Sequence, residues 1–531
     1  MSVNHSSAVV LTDVSFAWPD GTAALEHLSA AFELGRTGLI GRNGSGKSTL
    51  LGLIAGELTP TTGSIGLTGE VGYLPQQLAL RAGVSVAELL GIRERIEALR
   101  AIESGSTSAH WFDVLGDDWD VEARARVQLD LLGMTTVGLD RHIETLSGGE
   151  IMLAALAGLR LGGPDIVLLD EPTNDLDRQT RRQLYEMITG WRGTLIVVSH
   201  DTTLLDLMDD IAELRAGSLT VFGGSYSQYC AHVDQQQAAA QQALRTAEQN
   251  LKTEQRQRIE AQTKLARRRR YANTDFENRR KPKMIMKQRK TEAQVSAGKL
   301  RTELDEKIAS AHDAVQEQAE RVRRDDRIRI ELPDTEVAAG RRLAELRDAY
   351  GHGFVLQGPK RFALTGRNGV GKTRLVETLI HPRVVSAGEP MAASSTGRIG
   401  FLPQRLDHLD DDLTLMEAVR RGAPHARPAD IRANLARFLF RGDVVERRIG
   451  ALSGGERFRA ALAVILLADP PPELLVLDEP TNNLDLASVN ELVDALASYR
   501  GGLIVVSHDE GFLVRLGIDT WITLERDGRL R

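Results

Sequence analysis

The run Gly41-Arg42-Asn43-Gly44-Ser45-Gly46-Lys47-Ser48 returns at residues 366–373 with only Ser45 and Ser48 replaced, by Val370 and Thr373. Both runs fit G-x-x-x-x-G-K-[S/T], whose glycines let backbone adopt positive φ and approach a phosphate closely. The loop's N–H groups then cradle phosphate oxygens at a helix N-terminus, aided by the helix dipole. The fold must therefore supply a buried strand before each loop and a helix after it. Short apolar segments precede Gly41 and Gly366, and the apolar stretches at 50–54 and 375–380 suit the helices. Lys47 and Lys372 are expected to reach the β and γ phosphates of ATP, with the hydroxyls of Ser48 and Thr373 on Mg²⁺.

Each loop is followed, in one fixed order, by Leu-Pro-Gln, Leu-Ser-Gly-Gly-Glu, an apolar run ending in Asp-Glu-Pro-Thr-Asn, and Val-Val-Ser-His-Asp. The apolar runs at 166–169 and 474–477 read as strands covered on both faces. At their carboxyl ends, where α/β sheets bind ligands, stand Asp170-Glu171 and Asp478-Glu479. The aspartates are placed to hold Mg²⁺ and the glutamates to polarise an attacking water as general bases. The doubled order implies a tandem ATPase.

These motifs resemble those of ATP-binding cassette proteins over nearly the whole chain outside residues 230–330. The resemblance makes Ser147, Gly148, Gly149 and Ser453, Gly454, Gly455 the signature segments, and Gln76 and Gln404 the Q-loop glutamines that also approach Mg²⁺. His200 and His508 become the switch histidines, and 174–177 and 482–485 the D-loops. In that family two cassettes close head to tail over two ATP molecules. One site would join Lys47, Ser48, Gln76, Asp170, Glu171 and His200 with residues 453–455. The other would join Lys372, Thr373, Gln404, Asp478, Glu479 and His508 with residues 147–149. Gly41, Asn43, Gly44, Gly46 and Thr49, and Gly366, Asn368, Gly369 and Gly371, complete the implied ATP contacts. Trp18 resembles the aromatic that stacks on adenine; the second copy has no clear equivalent. The implied fold class is α/β, two P-loop ATP-binding cassette domains joined by a long α-helical hairpin linker.

The boundaries follow as a first cassette at 1–229, a linker at 230–330 and a second cassette at 331–531. From Ala231 to about Arg270 there is no Pro or Gly, and Leu244, Leu251, Ile259 and Leu265 offer a narrow apolar seam. After a break around 273–282, a second seam runs through Ala297, Leu300, Leu304, Ile308, Ala311, Val315 and Val322. An antiparallel helical hairpin is the simplest reading. Its charge sets it apart. The chain's formal net charge is −7, yet residues 231–330 hold 24 Lys and Arg against 15 Asp and Glu. The excess concentrates at Arg267, Arg268, Arg269, Arg270, Arg279, Arg280, Lys281, Lys283, Lys287, Arg289 and Lys290, with Tyr271 and Phe276 among them. A basic tip on an acidic body fits nucleic-acid phosphate, and the aromatics could stack on bases.

The one cysteine, Cys230, excludes an intramolecular disulfide and fits a reducing compartment. No signal peptide is evident and no segment approaches eighteen consecutive apolar residues, so a cytoplasmic protein without a membrane span is expected. Two cassettes, no membrane segment and a basic helical linker together resemble the ABC-F proteins. That resemblance implies a monomer with intramolecular cassette pairing that binds the ribosomal tRNA exit site. Its linker would reach toward rRNA and the P-site tRNA. Several such proteins expel ribosome-targeting antibiotics, and others regulate translation. Residues 280–299 look like the linker tip of actinobacterial members. From Gln to signature the first cassette is about 22 residues longer than the second, an insert near 92–120 where the family carries its arm. Its shortness, Gly105 and several serines leave a helical arm and a plain loop both open. The competing classes are the ATP-binding subunit of a transporter with a separate membrane partner, and a chromosome-associated ATPase.

Overall fold

The computed structural model describes residues 8–76, 83–174, 176–277, 283–321, 335–382, 388–406, 408–482 and 484–531. These fall into two units, Met1–Tyr226 with Asp326–Arg531, and Ser227–Asp325. In the first unit one architecture occurs twice. A three-stranded antiparallel sheet (Ala23–Phe32, Val9–Ala17, Thr62–Leu67) accompanies a larger sheet ordered Val71–Leu74, Ile166–Asp170, Thr194–Val198, Gly35–Gly41, Asp210–Arg215, Ser218–Gly223. All neighbours in that larger sheet are parallel except the last pair. The second cassette repeats the pattern with Gly353–Gln357, Arg342–Arg347, Met391–Ser394, then Ile399–Leu402, Leu474–Asp478, Gly502–Val506, Arg361–Thr365, Thr520–Thr523.

Every residue of Ile166–Asp170 and of Leu474–Asp478 is buried, as continuous apolar runs in a parallel sheet require. The helices Lys47–Ile54 and Lys372–Ile380 each start at the lysine of the glycine loop. Gly46 and Gly371 precede them at φ 97° and 99°, a conformation that L side chains resist. At Gly46 a Cβ would also lie 2.9 Å from the Ala24 carbonyl oxygen. No helix among the described residues is long and apolar enough to cross a membrane.

Within 92–120 the chain forms two helices, Arg93–Glu103 and Ala109–Leu115, so a plain loop is not what this sequence builds. Ile96 and Leu99, three apart, bury one face, and Leu115 is buried too. Gly105, at φ 96°, and the serines form only the connection between the helices.

The second unit holds the helices Tyr226–Glu277 and Lys283–Arg321, joined side by side where Arg258 meets Asp305 at 2.9 Å. The first runs past the break expected from residue 273, because no Gly or Pro intervenes before Pro282. Its half-buried stripe steps by three and four through Leu244, Ala247, Leu251, Glu254, Arg258, Ala261 and Leu265. Ile259 lies off that stripe and is 63% exposed, so Arg258 takes the place the seam assigned to it. Val322 lies outside the described residues.

Candidate nucleotide sites at the cassette interface

Strand order brings the phosphate chemistry to one edge. Thr194–Val198 lies between the phosphate-loop strand and the acidic strand, with Val198 opposite both Leu39 and Asp170. Chain leaving that edge must therefore deliver Lys47, Asp170-Glu171 and His200 to the same place. They line a cavity of ≈ 460 Å³ together with Trp18, Asn43, Gly44, Gly46, Ser48, Thr49, Gln76 and Asn174. The second cassette repeats the register, Val506 standing opposite Leu364 and Asp478.

Both lysines fold back on their own loops. Lys47 Nζ donates to the carbonyls of Gly41 (2.8 Å) and Arg42 (3.1 Å), and Lys372 to those of Gly366 (2.9 Å) and Arg367 (3.2 Å). Lys372 Nζ also donates to His508 Nε2 at 2.8 Å. His200 Nε2 instead lies 3.1 Å from Glu171 Oε1, against 3.4 Å between His508 and Glu479. Burial, reinforced by the neighbouring lysine, pushes both histidines down to about 3, so both are neutral imidazoles. Burial likewise raises the carboxyl groups, Glu479 to about 7, and Glu171 well above the usual range. Asp170 and Asp478 are raised by burial and partly restrained by the hydroxyls of Ser48 and Thr373 beside them.

The donor set suits a hard divalent cation. Asp170 Oδ1 and both carboxylate oxygens of Asp478 are buried without a well-aligned hydrogen bond, and each carboxylate has a hydroxyl beside it. Gln76 stands at the cavity rim, and Gln404 is exposed at the end of Ile399–Leu402. Gly44 and Gly369, at φ 78° and 77°, face open space, which leaves room for a phosphate against the loop.

The cassettes meet where the D-loop of each touches the phosphate loop of the other. Asp485 caps Leu486–Ala497 and accepts from Asn43 N across the interface at 2.8 Å. Asp177 caps Arg178–Thr189 and accepts from Asn368 N at 3.4 Å, with Arg367 Nε at 3.8 Å. Their signal was present: the same aspartate closes both D-loops. Asp175 and Asn483 lie outside the described residues. Ser147 and Ser453 open helices as capping boxes, each hydroxyl held by the glutamate three residues on, Glu150 or Glu456, at 2.8 Å. Gly148 and Gly454 face open space, while a Cβ on Gly149 would come 3.0 Å from Thr180 and one on Gly455 3.3 Å from Ser488. Residues 453–455 do not line the first cavity; they stand behind Asp485, through Ser488.

Trp18 is 42% exposed and meets Phe16 edge-on at 5.1 Å. In its turn, Trp18 N donates to Thr22 O and Gly21 N to Trp18 O. Asp348, His352 and Gly351 repeat those bonds, so Asp348 occupies the corresponding place. Of the basic linker residues, Arg267 and Arg270 are exposed on Tyr226–Glu277. Arg268 and Arg269 lie on the same helix, and Lys283, Lys287, Arg289 and Lys290 on Lys283–Arg321. Arg279, Arg280 and Lys281 lie outside the described residues.

The ABC transporter family pattern matches residues 25–174 and 352–482, the two cassettes. The tylosin resistance ATP-binding protein TlrC of Streptomyces fradiae is 33% identical over 96% of both chains. ABC transporter F family member 2 of Arabidopsis thaliana is 28% identical over 96% of this chain and 76% of its own. Among solved structures, the archaeal ribosome recycling factor aABCE1 with the stalk protein aP1 superposes with a TM-score of 0.55 at 20% identity. That match covers 98% of this chain and 89% of the other, and an RNase-L Inhibitor structure gives 0.54 at 17% over 99% and 90%. At such identities the superpositions speak for the fold alone. Two ATP-binding cassettes in this order, and full-length likeness to such relatives, place the chain in the ABC-F family of ATP-binding cassette proteins.

Proposed function

We propose that this protein is an ATP-hydrolysing ribosome binder of the cytoplasm, acting as a monomer and protecting translation from ribosome-targeting antibiotics. One observation carries the reading: the likeness to a tylosin resistance protein runs over 96% of both chains, which takes in the linker. In each site the loop glycines and lysine receive the phosphates, and the ammonium exchanges its loop carbonyls for phosphate oxygens. Ser48, Gln76 and Asp170, and Thr373, Gln404 and Asp478, would hold Mg²⁺, which neutralises charge on the β and γ phosphates. Glu171 and Glu479 accept the proton of the attacking water, and the neutral histidines donate to the γ-phosphate. The signature segments, 453–455 for the first site and 147–149 for the second, swing in when the cassettes close. The basic linker then meets rRNA and P-site tRNA through its phosphates. The nucleotide drives this only if it binds the closed and open states with different affinity. A transporter subunit would leave the basic linker without a role.

The test is cosedimentation. The Glu171→Gln/Glu479→Gln protein should bind ATP without hydrolysing it and pellet with ribosomes. If it stays in the supernatant with ATP present, the ribosomal reading falls.

A further inference from the structure

The D-loop aspartates Asp177 and Asp485 start equivalent helices, but the fourth residue on is Arg181 in one and Val489 in the other. Four residues later, Tyr185 faces Val493 in the same comparison. Arg181 is nearly buried, its side chain 12% exposed. Its Nε donates to the Leu176 carbonyl at 3.2 Å and its Nη1 to Asp201 Oδ2 at 3.4 Å. The Tyr185 hydroxyl donates to that same oxygen at 2.5 Å. Such a buried carboxylate held by two donors moves only with its partners.

The two ends of this bridge belong to different nucleotide sites. Asp201 follows His200 directly and caps the helix Thr202–Leu205, so it travels with the switch loop of the first site. Leu176 precedes Asp177, whose carboxylate accepts from Asn368 N in the phosphate loop of the second site. The guanidinium charge also reaches across the interface, acting on Glu479, His508 and Asp509. Around it the first cassette meets the segment after His508: Arg178 on the D-loop helix pairs with Glu510, and a Cβ on Gly511 would lie 3.2 Å from Thr202 Oγ1. On the mirror side Val489 is buried among apolar residues and supplies no donor.

We propose that Arg181 is a positioning residue that couples the two nucleotide sites, through a bridge built on one side only. It ties the switch loop of the first site to the D-loop that walls the second. The inference rests on the reading of both sites as ATP sites. A γ-phosphate that draws His200 inward shifts Asp201, and Arg181 carries Leu176 and Asp177 with it against Asn368. Linkage makes the effect reciprocal, so filling either site favours the other.

Calorimetric titration of the full-length Glu171→Gln/Glu479→Gln protein with Mg²⁺-ATP reads the coupling without hydrolysis. Two ATP molecules should bind with a coupling of about tenfold. Arg181→Met should reduce it below about twofold while still binding two ATP, and Arg181→Lys should keep most of it. Asp201→Asn, which preserves a good helix cap, should match Arg181→Met, and the combination should add nothing. A parent without coupling, an Arg181→Met isotherm that superimposes on the parent, or additive losses would overturn the bridge. Uptake of fewer than two ATP by the parent instead removes the two-site reading beneath it, and the stoichiometry tells these failures apart.

Discussion

The two nucleotide sites share their chemistry and differ at their edges. In the first, the D-loop carboxylate of Asp485 grips the opposite phosphate loop at 2.8 Å, and Arg42 of that loop feels Glu491 on the facing helix. In the second, Asp177 stands 3.4 Å off, and the residue matching Glu491 is Gln183, which donates inside its own cassette to Leu132 O. The second site has Arg181 nearby where the first has Val489, and Asp348 where the first has Trp18. The residues proposed to touch phosphate are repeated because phosphate chemistry leaves few solutions. The rim and the interface are free to diverge, so any inequality between the sites should trace to them.

The largest effects test the shared part. Removing both proposed general bases, Glu171 and Glu479, should lower ATP turnover by at least about a hundredfold, the range of general base catalysis. Each single variant, Glu171→Gln or Glu479→Gln, should leave a different residual rate of phosphate release. Identical residual rates would erase the comparison.

Next in size is the acid response. Burial holds His200 and His508 near 3, against about 6.5 in the unfolded chain. A depressed histidine contributes stability that is present above about pH 6.5 and lost as pH falls toward 3. By pH 5 the loss is about 2 kcal/mol per histidine. A His200→Gln/His508→Gln protein should therefore lose less melting temperature than the wild type between pH 7.5 and pH 5. Glu479, raised to about 7, acts with the opposite sign, losing its contribution as pH rises through 7, in both proteins alike. Parallel melting curves across that interval would contradict neutral buried histidines.

How far the sequence reached follows from the same division. Gly41 to Ser48, Asp170 and His200 were legible because each needs a fixed residue type at a fixed strand end. The helices at 93–103 and 109–115 were not, because Gly105 and its serines dominate the composition while Ile96 and Leu99 carry the folding signal. In the linker the three-and-four spacing was right in kind but misassigned Ile259, since a polar pair, Arg258 with Asp305, holds that level. Asp177 and Asp485 were legible as D-loop residues but their contacts were not, because their partners, Asn368 and Asn43, lie in the opposite cassette, more than a hundred residues away. Arg181 is visible only by laying one copy on the other.

A smaller effect separates the rims. Trp18→Ala should weaken ATP at one of the two sites about tenfold, the loss of one aromatic stacking surface. Asp348→Ala should leave both affinities unchanged. Two-site titration of the non-hydrolysing protein distinguishes them, and equal affinity losses at both sites for Trp18→Ala would detach that residue from the first site.

The smallest expected difference asks whether the repeated chemistry carries a repeated strain. Glu171 and Glu479 adopt φ of 49° and 45°, left-handed backbone that non-glycine residues rarely enter. Their N–H groups donate to Val198 O at 2.9 Å and Val506 O at 2.8 Å, which extends each ladder one residue past its strand and forces the turn there. A side chain in that conformation costs roughly 1 kcal/mol, while glycine enters it freely. Elsewhere an alanine is the more stabilising of the two. Here Glu171→Gly should exceed Glu171→Ala in unfolding free energy, read from the urea midpoint at unchanged m, by about 0.5 kcal/mol, the strain less glycine's entropic cost. The same order should hold at 479. An alanine variant as stable as the glycine one would mean the backbone relaxes once the carboxylate is gone. A gain at only one position would place the strain in one cassette, and the sites would then differ in their chemistry as well as at their edges.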